Sequence, residues 1–170
     1  MNVMPSSANP KYDRDHSEKT GGPCMTPQAA TKQSERNPRT PEEARALVRH
    51  VESLFMPWNI DALVGGFTED CVVRFGAIPE FRGHDALRKF FTARSARQKG
   101  YRLRKQLRTL AGDLMTNVWD GEWDDAETGQ QMKGFGIEVW TMRDGKIAVW
   151  EAAFNAAPAN QAVTVEQALR

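Results

Sequence analysis

The sequence contains only two cysteines among its 170 residues, Cys24 and Cys71, and no CxxC pair. A four-ligand zinc site or a disulfide framework normally needs more cysteines than that. The chain also has no Gly-rich phosphate loop, no GxSxG elbow and no HExxH motif. These absences remove the usual signatures of nucleotide binding, serine hydrolysis and zinc proteolysis. We therefore expect neither a metal ion nor a cofactor.

Excess charge and long apolar runs are also missing. The 23 basic and 22 acidic residues leave a formal net charge of +1. A nucleic-acid or membrane partner usually requires a basic excess or stripe, so we expect neither partner. No run is long and apolar enough to span a membrane, and the first residues lack the apolar stretch of a secretory signal. We expect a cytoplasmic protein.

The first part of the chain differs in composition from the rest. Residues 1–39 are rich in Pro, Ser, Asn, Gly and Lys and contain few large apolar residues. Such a segment cannot bury enough apolar surface to offset its conformational entropy. The sequence therefore predicts a disordered tail over residues 1–39, a folded domain over residues 40–156 and a short C-terminal tail over residues 157–170.

Three helices are predicted in the first half of the domain. The segment "TPEEARALVRHVESLFMPWN" opens with Thr40 as N-cap, Pro41 at the first helical position and Glu43 two residues later, which together make a capping box. "NIDALVGG" predicts a short second helix and "HDALRKFFTARSARQKG" a third. Between them, "CVVRF" predicts a strand and "AIPEFRG" a loop.

From Tyr101 onward the apolar residues recur every second position, which is typical of strands. Four strands are predicted, namely "YRLRKQLRTL", "LMTNVWDGEWDD", "QQMKGFGIEVWTM" and "KIAVWEAAFN". Short connections join them, and Asp144–Gly145 in the last one is a strong two-residue hairpin signal. This order predicts an α+β domain in which helices pack on one face of a curved antiparallel sheet.

The hairpin registers predict which side chains share a face. Placing Asp144 and Gly145 in the turn pairs Trp140 with Val149 and Val139 with Trp150. The set containing Val139 and Trp150 is the more apolar one, so we expect it to face the helices.

The preceding hairpin extends this prediction to the acidic strand. It pairs Asp120 with Phe135 and Trp119 with Gly136, which puts Asp120 and Glu122 on the helix side and the tryptophans on the other side. The "AGD" turn before the acidic strand leaves two registers open. A turn of two residues places Lys105 opposite Asp120, and a turn of three residues places Arg104 opposite Asp120. A slip of one residue in any of these registers would exchange the faces.

The segments "FTEDCVVRF", "FRGHDALRKFF" and "MRDGKIAVWEAAFN" resemble the nuclear transport factor 2-like superfamily, which includes SnoaL-like and ketosteroid-isomerase-like proteins. "YRLRKQL", "GEWDDAETGQ" and "GIEVW" are similar to a bacterial branch of unknown function. The resemblance implies a cone-shaped, curved antiparallel sheet wrapped around three N-terminal helices, with an apolar pocket inside. It also implies a homodimer formed through the outer sheet face.

The catalytic residues of the superfamily do not carry over to this chain. In the comparison with limonene-epoxide-hydrolase-like members, a pocket Arg and Asp fall on Asp120 and Glu122, and a second Asp falls on Ala152. The base of the steroid isomerases falls on Phe75, and their oxyanion-site Asp falls on Ile137. The pocket histidines of the dehydratase-type members have no counterpart, because only His50 and His84 follow the tail.

Two functions fit these observations. One is a small enzyme that uses acid–base chemistry, of the isomerase or hydratase/dehydratase type, on a small apolar molecule. The other is a non-catalytic ligand-binding or dimerisation module, in which the acidic residues only form ion pairs with Lys133, Lys105 or Arg104. The candidate catalytic residues are Asp120 and Glu122. The candidate substrate-binding residues are Val73, Phe75, Phe135, Ile137 and Trp150. The candidate dimer-interface residues are Trp119, Trp123 and Trp140.

Overall fold

The computed structural model describes residues 36–161, which contain three helices and six strands. In chain order these are α1 (Pro41–Ser53), α2 (Ile60–Gly65), β1 (Phe67–Phe75), β2 (Phe81–Arg82), α3 (Gly83–Arg97), β3 (Gln98–Ala111), β4 (Leu114–Asp125), β5 (Gln131–Arg143) and β6 (Lys146–Pro158). Within the described residues, no helix is long and apolar enough to cross a membrane. Of the tails predicted over residues 1–39 and 157–170, residues 1–35 and 162–170 lie outside the described residues.

Helix α1 begins with the predicted capping box. The Thr40 hydroxyl accepts from the Glu43 N–H at 3.2 Å, and the Glu43 carboxylate accepts from the Thr40 N–H at 3.3 Å. Arg36 pairs with the same carboxylate at 2.5 Å. Asn37 donates to the Met142 carbonyl oxygen at 3.1 Å. These contacts join the residues before α1 to the folded domain.

The six strands form one sheet in the order β2-β1-β6-β5-β4-β3. All neighbours are antiparallel except β1 and β6, which run parallel. The predicted antiparallel succession of the last four strands is confirmed, and so is the α+β class with a curved sheet and three helices. Strand β2 is a two-residue strand in a segment where the sequence predicted only a loop.

The helices contact one face of this sheet, which we call the inner face; the opposite one is the outer face. Phe91 of α3 stacks on Trp150 of β6 with 5.9 Å between ring centroids. Phe55, just after α1, lies 6.0 Å from the ring of Tyr101 on β3. The core therefore lies between the helices and the inner face.

The hairpin of β4 and β5 has the predicted register. Asp120 lies opposite Phe135, and Trp119 lies opposite Gly136. A Cβ atom on Gly136 would come within 2.5 Å of the Trp119 ring, so this indole occupies the space that the glycine leaves open. The prediction that Trp119 covers Gly136 is therefore confirmed.

The hairpin of β5 and β6 differs from the prediction by one residue. Arg143 pairs with Lys146 as expected, but a β-bulge on β6 at Ala148 brings Trp150 opposite Trp140. An extra residue on one strand exchanges the faces of everything beyond it. Trp140 and Trp150 consequently share the inner face, and both are buried.

This bulge reverses the predicted faces of β4. Trp119 and Trp123 are buried on the inner face, whereas Asp120 and Glu122 are exposed on the outer face. The predicted inward orientation of the two acids is therefore wrong. A second irregularity, between Leu107 and Thr109 of β3, places Arg104 opposite Asp120 even though the turn itself has two residues.

Candidate functional site

The inner face carries a buried pair of opposite charges, contributed by β3 and β5. The Lys105 ammonium donates to one carboxylate oxygen of Glu138, and the two side chains are only 4% and 1% exposed. The Trp140 indole N–H donates to the other carboxylate oxygen at 3.1 Å. Glu138 is therefore held between two donors, the Lys105 ammonium and the Trp140 indole.

The surroundings of Lys105 change its acidity. Burial lowers the pKa of its ammonium well below the ordinary value, the charge of Arg94 acts in the same direction, and Glu52 opposes it. The Phe55 and Trp140 rings lie 6.0 and 5.5 Å from the Lys105 nitrogen. A lowered pKa makes the Lys105 ammonium a better proton donor than an exposed lysine.

Asn117 of β4 lies next to this pair, directly opposite Glu138 in the β4–β5 ladder. Its side chain is completely buried, and neither its amide oxygen nor its amide nitrogen has a hydrogen-bond partner within residues 36–161. Leaving a buried amide unpaired costs about 1–3 kcal/mol. Asn117 is thus a buried polar group whose hydrogen bonds are not satisfied by the described residues.

A second polar group on the inner side is Arg94, in the last turn of α3. Its guanidinium lies over four aromatic rings, at 5.6 Å from Trp58, 5.1 Å from Phe75, 5.6 Å from Phe90 and 5.8 Å from Tyr101. We call Arg94 and these four rings the Arg94 box. The Arg94 Nε donates to the Gln98 side-chain oxygen at 3.2 Å.

Phe55 connects the box to the buried pair. Its ring lies 6.0 Å from the Tyr101 ring and 6.0 Å from the Lys105 ammonium. The Arg94 box, Phe55 and the Lys105–Glu138 pair therefore form one continuous region of the inner side.

The outer face has a cleft of about 1020 Å³. Six of its lining residues are Arg102, Arg104, Asp120, Glu122, Lys133 and Phe135. Arg102 and Glu122 form an ion pair at 2.8 Å, and both side chains are exposed. The acids that the sequence singled out as catalytic therefore lie beside each other in a solvent-exposed cleft with basic neighbours.

The other predicted site residues divide between the two faces. Val73, Phe75 and Trp150 are buried on the inner face, and their role in substrate binding stays a prediction. Phe135 and Ile137 lie on the outer face and are 54% and 46% exposed, so their predicted inward orientation is wrong.

The predicted exposed stripe of tryptophans is also wrong. Trp119, Trp123 and Trp140 all belong to the hydrophobic core under the helices. Because they lie on the inner face, they are not available at the outer surface.

The polar residues of the inner side had not been singled out as site candidates. Lys105 follows Tyr101 and Leu103 at alternate positions of β3, so it is the one cation in an otherwise apolar set. Glu138 likewise stands between Gly136 and Trp140. A single charged residue among apolar residues at alternate strand positions indicates a buried charge only if that set of positions faces the core. The sequence alone did not show which set does.

No metal centre is evident in the part of the chain that the structure describes. Within residues 36–161, no group of three or more His, Cys, Asp or Glu side chains is placed to hold an ion. Cys71 is a buried free thiol on β1, and His84 hydrogen-bonds the Phe67 carbonyl oxygen at 3.0 Å. Both side chains therefore belong to the packing of the domain.

Similar folds occur among solved structures. The epoxide hydrolase/cyclase-like enzyme SalBIII, described in pyran ring formation in the polyether salinomycin, matches 69% of this chain and 96% of its own with a TM-score of 0.61 and 16% identity. A putative polyketide cyclase from Xanthomonas campestris matches 66% and 90% with a TM-score of 0.56 and 21% identity. A putative isomerase from Bacillus subtilis matches 69% and 90% with a TM-score of 0.59 and 15% identity.

At the level of sequence, no curated protein matches the chain. The family model described as "Protein of unknown function (DUF1348)" matches residues 37–165, which include every described helix and strand. The chain therefore belongs to the DUF1348 family, and its structural neighbours are SnoaL-like polyketide cyclases and other nuclear transport factor 2-like proteins.

Proposed function

We propose that this SnoaL-like domain binds a small apolar molecule against its inner face and transforms it by acid–base chemistry, of the isomerase or hydratase/dehydratase type. The observation that carries the proposal is the unpaired amide of Asn117 beside the buried Lys105–Glu138 pair. In a core that never meets a ligand, such a group is a net cost. A ligand oxygen or hydroxyl that pairs with the amide would remove that cost.

The three polar side chains have complementary roles in this proposal. The Glu138 carboxylate takes a proton from a carbon next to a carbonyl group, and the Lys105 ammonium gives a proton to the carbonyl oxygen. In an isomerisation, Glu138 returns its proton to a different carbon while the enol oxygen gives its proton back to Lys105. In a dehydration, the proton on Glu138 leaves with a hydroxyl on the next carbon as water, and the enol oxygen again gives its proton back to Lys105. Asn117 orients the oxygen. Only protons move, so the proposed reaction requires no cofactor.

The structural neighbours agree with the proposal at the level of the fold. They include an epoxide hydrolase/cyclase-like enzyme described in pyran ring formation, a putative polyketide cyclase and a putative isomerase. Their identities to this chain are 21% or lower, so they support the fold, and the chemistry rests on the residues of this chain.

Deuterium exchange into 2-tetralone, a flat ketone with acidic protons next to its carbonyl group, tests the proposal. The wild-type protein in D₂O should accelerate the exchange, followed by NMR, and Lys105→Met and Glu138→Gln should abolish the acceleration. Failure of the folded wild-type protein to accelerate exchange would contradict the acid–base role.

The same assay tests the catalytic role that the sequence predicted for Asp120 and Glu122. Both acids lie on the outer face, away from the Lys105–Glu138 pair, so we expect Asp120→Asn and Glu122→Gln to exchange 2-tetralone as fast as the wild type. Loss of exchange in these variants, with exchange retained in Lys105→Met, would favour the outer cleft as the active site.

A second candidate function, a dimerisation module, is favoured by the exposed apolar side chains of the outer face. Phe135 and Ile137 lie at its centre and are half exposed. Both signs of charge surround them, including Arg102, Glu122 and Lys133. An apolar centre with a charged rim is the usual anatomy of an interface. We propose that a second copy of this chain covers this face, since charges of both signs on one surface can pair across a two-fold axis.

A further inference from the structure

The Arg94 box contains a cation without a counter-ion. Within residues 36–161, no carboxylate acts on the Arg94 guanidinium, and its electrostatic partner is the neutral side chain of Tyr101. An arginine side chain keeps its charge under all ordinary conditions. A partly buried charge that lacks an opposite charge is costly, so the box is electrostatically incomplete within the described residues.

Tyr101 cannot supply the missing negative charge. Its hydroxyl interacts with the guanidinium, but burial raises the pKa of the phenol above its ordinary value, against the opposing effect of Arg94. The phenol therefore stays protonated at neutral pH and is a neutral neighbour of the cation. No group among residues 36–161 therefore supplies a negative charge to Arg94.

Two further donors, one in the box and one beside it, have no acceptor within the described residues. The indole nitrogen of Trp58 is buried and unpaired within the described residues, and so is that of Trp150. The Trp150 ring lies 5.0 Å from Phe75 and 6.0 Å from Phe90, which are both rings of the box. An indole N–H can only donate. The region thus has spare donors, and a ligand with acceptor oxygens would complement it.

The box is partly exposed and its walls are flat. Arg94, Trp58 and Phe90 each keep part of their surface exposed. Phe154 is 42% exposed and extends the aromatic wall, with its ring 4.8 Å from that of Phe75. Aromatic walls around a few polar groups are typical of sites for flat, largely apolar ligands.

We propose that the Arg94 box binds the carboxylate of an aromatic or cyclic carboxylic acid. Guanidinium and carboxylate match in geometry and form paired, charge-assisted hydrogen bonds. This inference rests on the proposed function, because it names the class of substrate for the same inner side. Tyr101 and Lys105 are four residues apart on β3, so their backbones are about 13 Å apart. The carboxylate is thus bound at the end of the ligand remote from the Lys105–Glu138 pair.

Two probes of the same shape test the inference in the wild-type protein. Binding of 2-naphthoate, an aromatic carboxylate, and of 2-naphthamide, its neutral counterpart, is measured by isothermal titration calorimetry. Because a charge-assisted bidentate pair replaces neutral hydrogen bonds, we expect 2-naphthoate to bind at least about ten-fold more tightly. Equal affinities, tighter binding of the amide or no binding of either probe would overturn the inference.

Three variants locate the anion site. Arg94→Met removes the charge but leaves a side chain of similar length that suits an aromatic environment, so it should fold and lose the preference for 2-naphthoate. Arg94→Lys keeps the charge without the planar fork and should retain part of the preference. Lys89→Gln, on the same helix but exposed, removes the same charge as a control and should keep the full preference.

The outcomes separate this inference from the proposed function. An unchanged preference in Arg94→Met, or an equal loss in Lys89→Gln, would overturn the carboxylate site. Failure of 2-tetralone exchange with a normal preference for 2-naphthoate would leave the carboxylate site in place and remove only the acid–base role. Normal 2-tetralone exchange without a preference for 2-naphthoate would remove the carboxylate site and leave the acid–base role in place, because 2-tetralone carries no carboxylate.

Discussion

Lys105 and Glu138 form an ion pair in which both side chains are almost fully buried. Taking each charge out of water costs several kcal/mol, and the attraction between the two charges often only offsets that cost. The pair is therefore a weak source of folding stability. Its presence beneath two helices and beside an unpaired amide favours a role in binding or chemistry.

This energetic argument predicts different stabilities for single and double variants. Lys105→Met or Glu138→Leu alone leaves one buried charge unpaired and should lower the free energy of unfolding by about 3–5 kcal/mol. The double variant should be more stable than either single variant, as measured by urea denaturation, although Trp140 loses its acceptor. It should also lack 2-tetralone exchange.

The opposite pattern would show that the pair is a structural element. If the loss of unfolding free energy in the double variant equals the sum of the two single losses, removing the second charge restores no stability. The acid–base proposal would then lose its energetic support.

Local signals in the sequence were sufficient for much of the fold. The capping box at Thr40 and Glu43 and the β4–β5 hairpin could both be predicted, because residues within one turn or one hairpin determine them. The bulge at Ala148 could not be predicted. Nothing in "KIAVW" shows whether this alanine pairs with a residue of β5 or is left unpaired as the extra residue of a bulge. That single residue reversed the predicted faces.

The candidate site depended on the same long-range information. Lys105 and Glu138 lie in strands that the sequence predicted, but the register decides whether they are buried together or exposed apart. Arg94 was predicted to lie in the third helix. Phe90 lies one turn away on the same helix, but the other three rings come from separate segments, which only tertiary packing brings to Arg94.

The contact between Gly136 and Trp119 gives a test of the inner face. A methyl group at residue 136 would approach the buried Trp119 ring to 2.5 Å, so Gly136→Ala should lower the free energy of unfolding by about 1–3 kcal/mol through overpacking. Gly65→Ala is the matched control, because no atom lies within 4 Å of the added carbon. Equal stabilities of the two variants in urea denaturation would contradict the buried position of this indole.

The outer face can be tested for self-association. Ile137→Asp places a charge at the centre of the proposed interface and should convert a dimer to a monomer in sedimentation velocity, since an unpaired charge is costly to bury there. Ile78→Asp is a close control, because Ile78 is 45% exposed compared with 46% for Ile137 but lies in the connection between β1 and β2.

Only one pattern supports the outer-face dimer. The wild type and Ile78→Asp should sediment as dimers, and Ile137→Asp should sediment as a monomer. A monomeric wild-type protein, or a dimer that persists in Ile137→Asp, would exclude this face as the interface.

The capping box at the start of α1 should give the domain a measurable dependence on pH. The hydrogen bond from Arg36, followed by that from the Arg39 N–H, lowers the pKa of Glu43 from 4.5 to about 2. Between these values the unfolded chain binds the proton and the folded chain does not, so this contribution to stability is complete above pH 4.5 and disappears as the pH falls towards 2. The stability difference between wild type and Glu43→Gln, measured by urea denaturation, should therefore shrink as the pH is lowered through this window.

Glu42→Gln removes the same charge without removing the capping bonds, and its difference from wild type should change less. A Glu43→Gln difference that stays constant as the pH falls would show that the carboxylate does not form these bonds in solution.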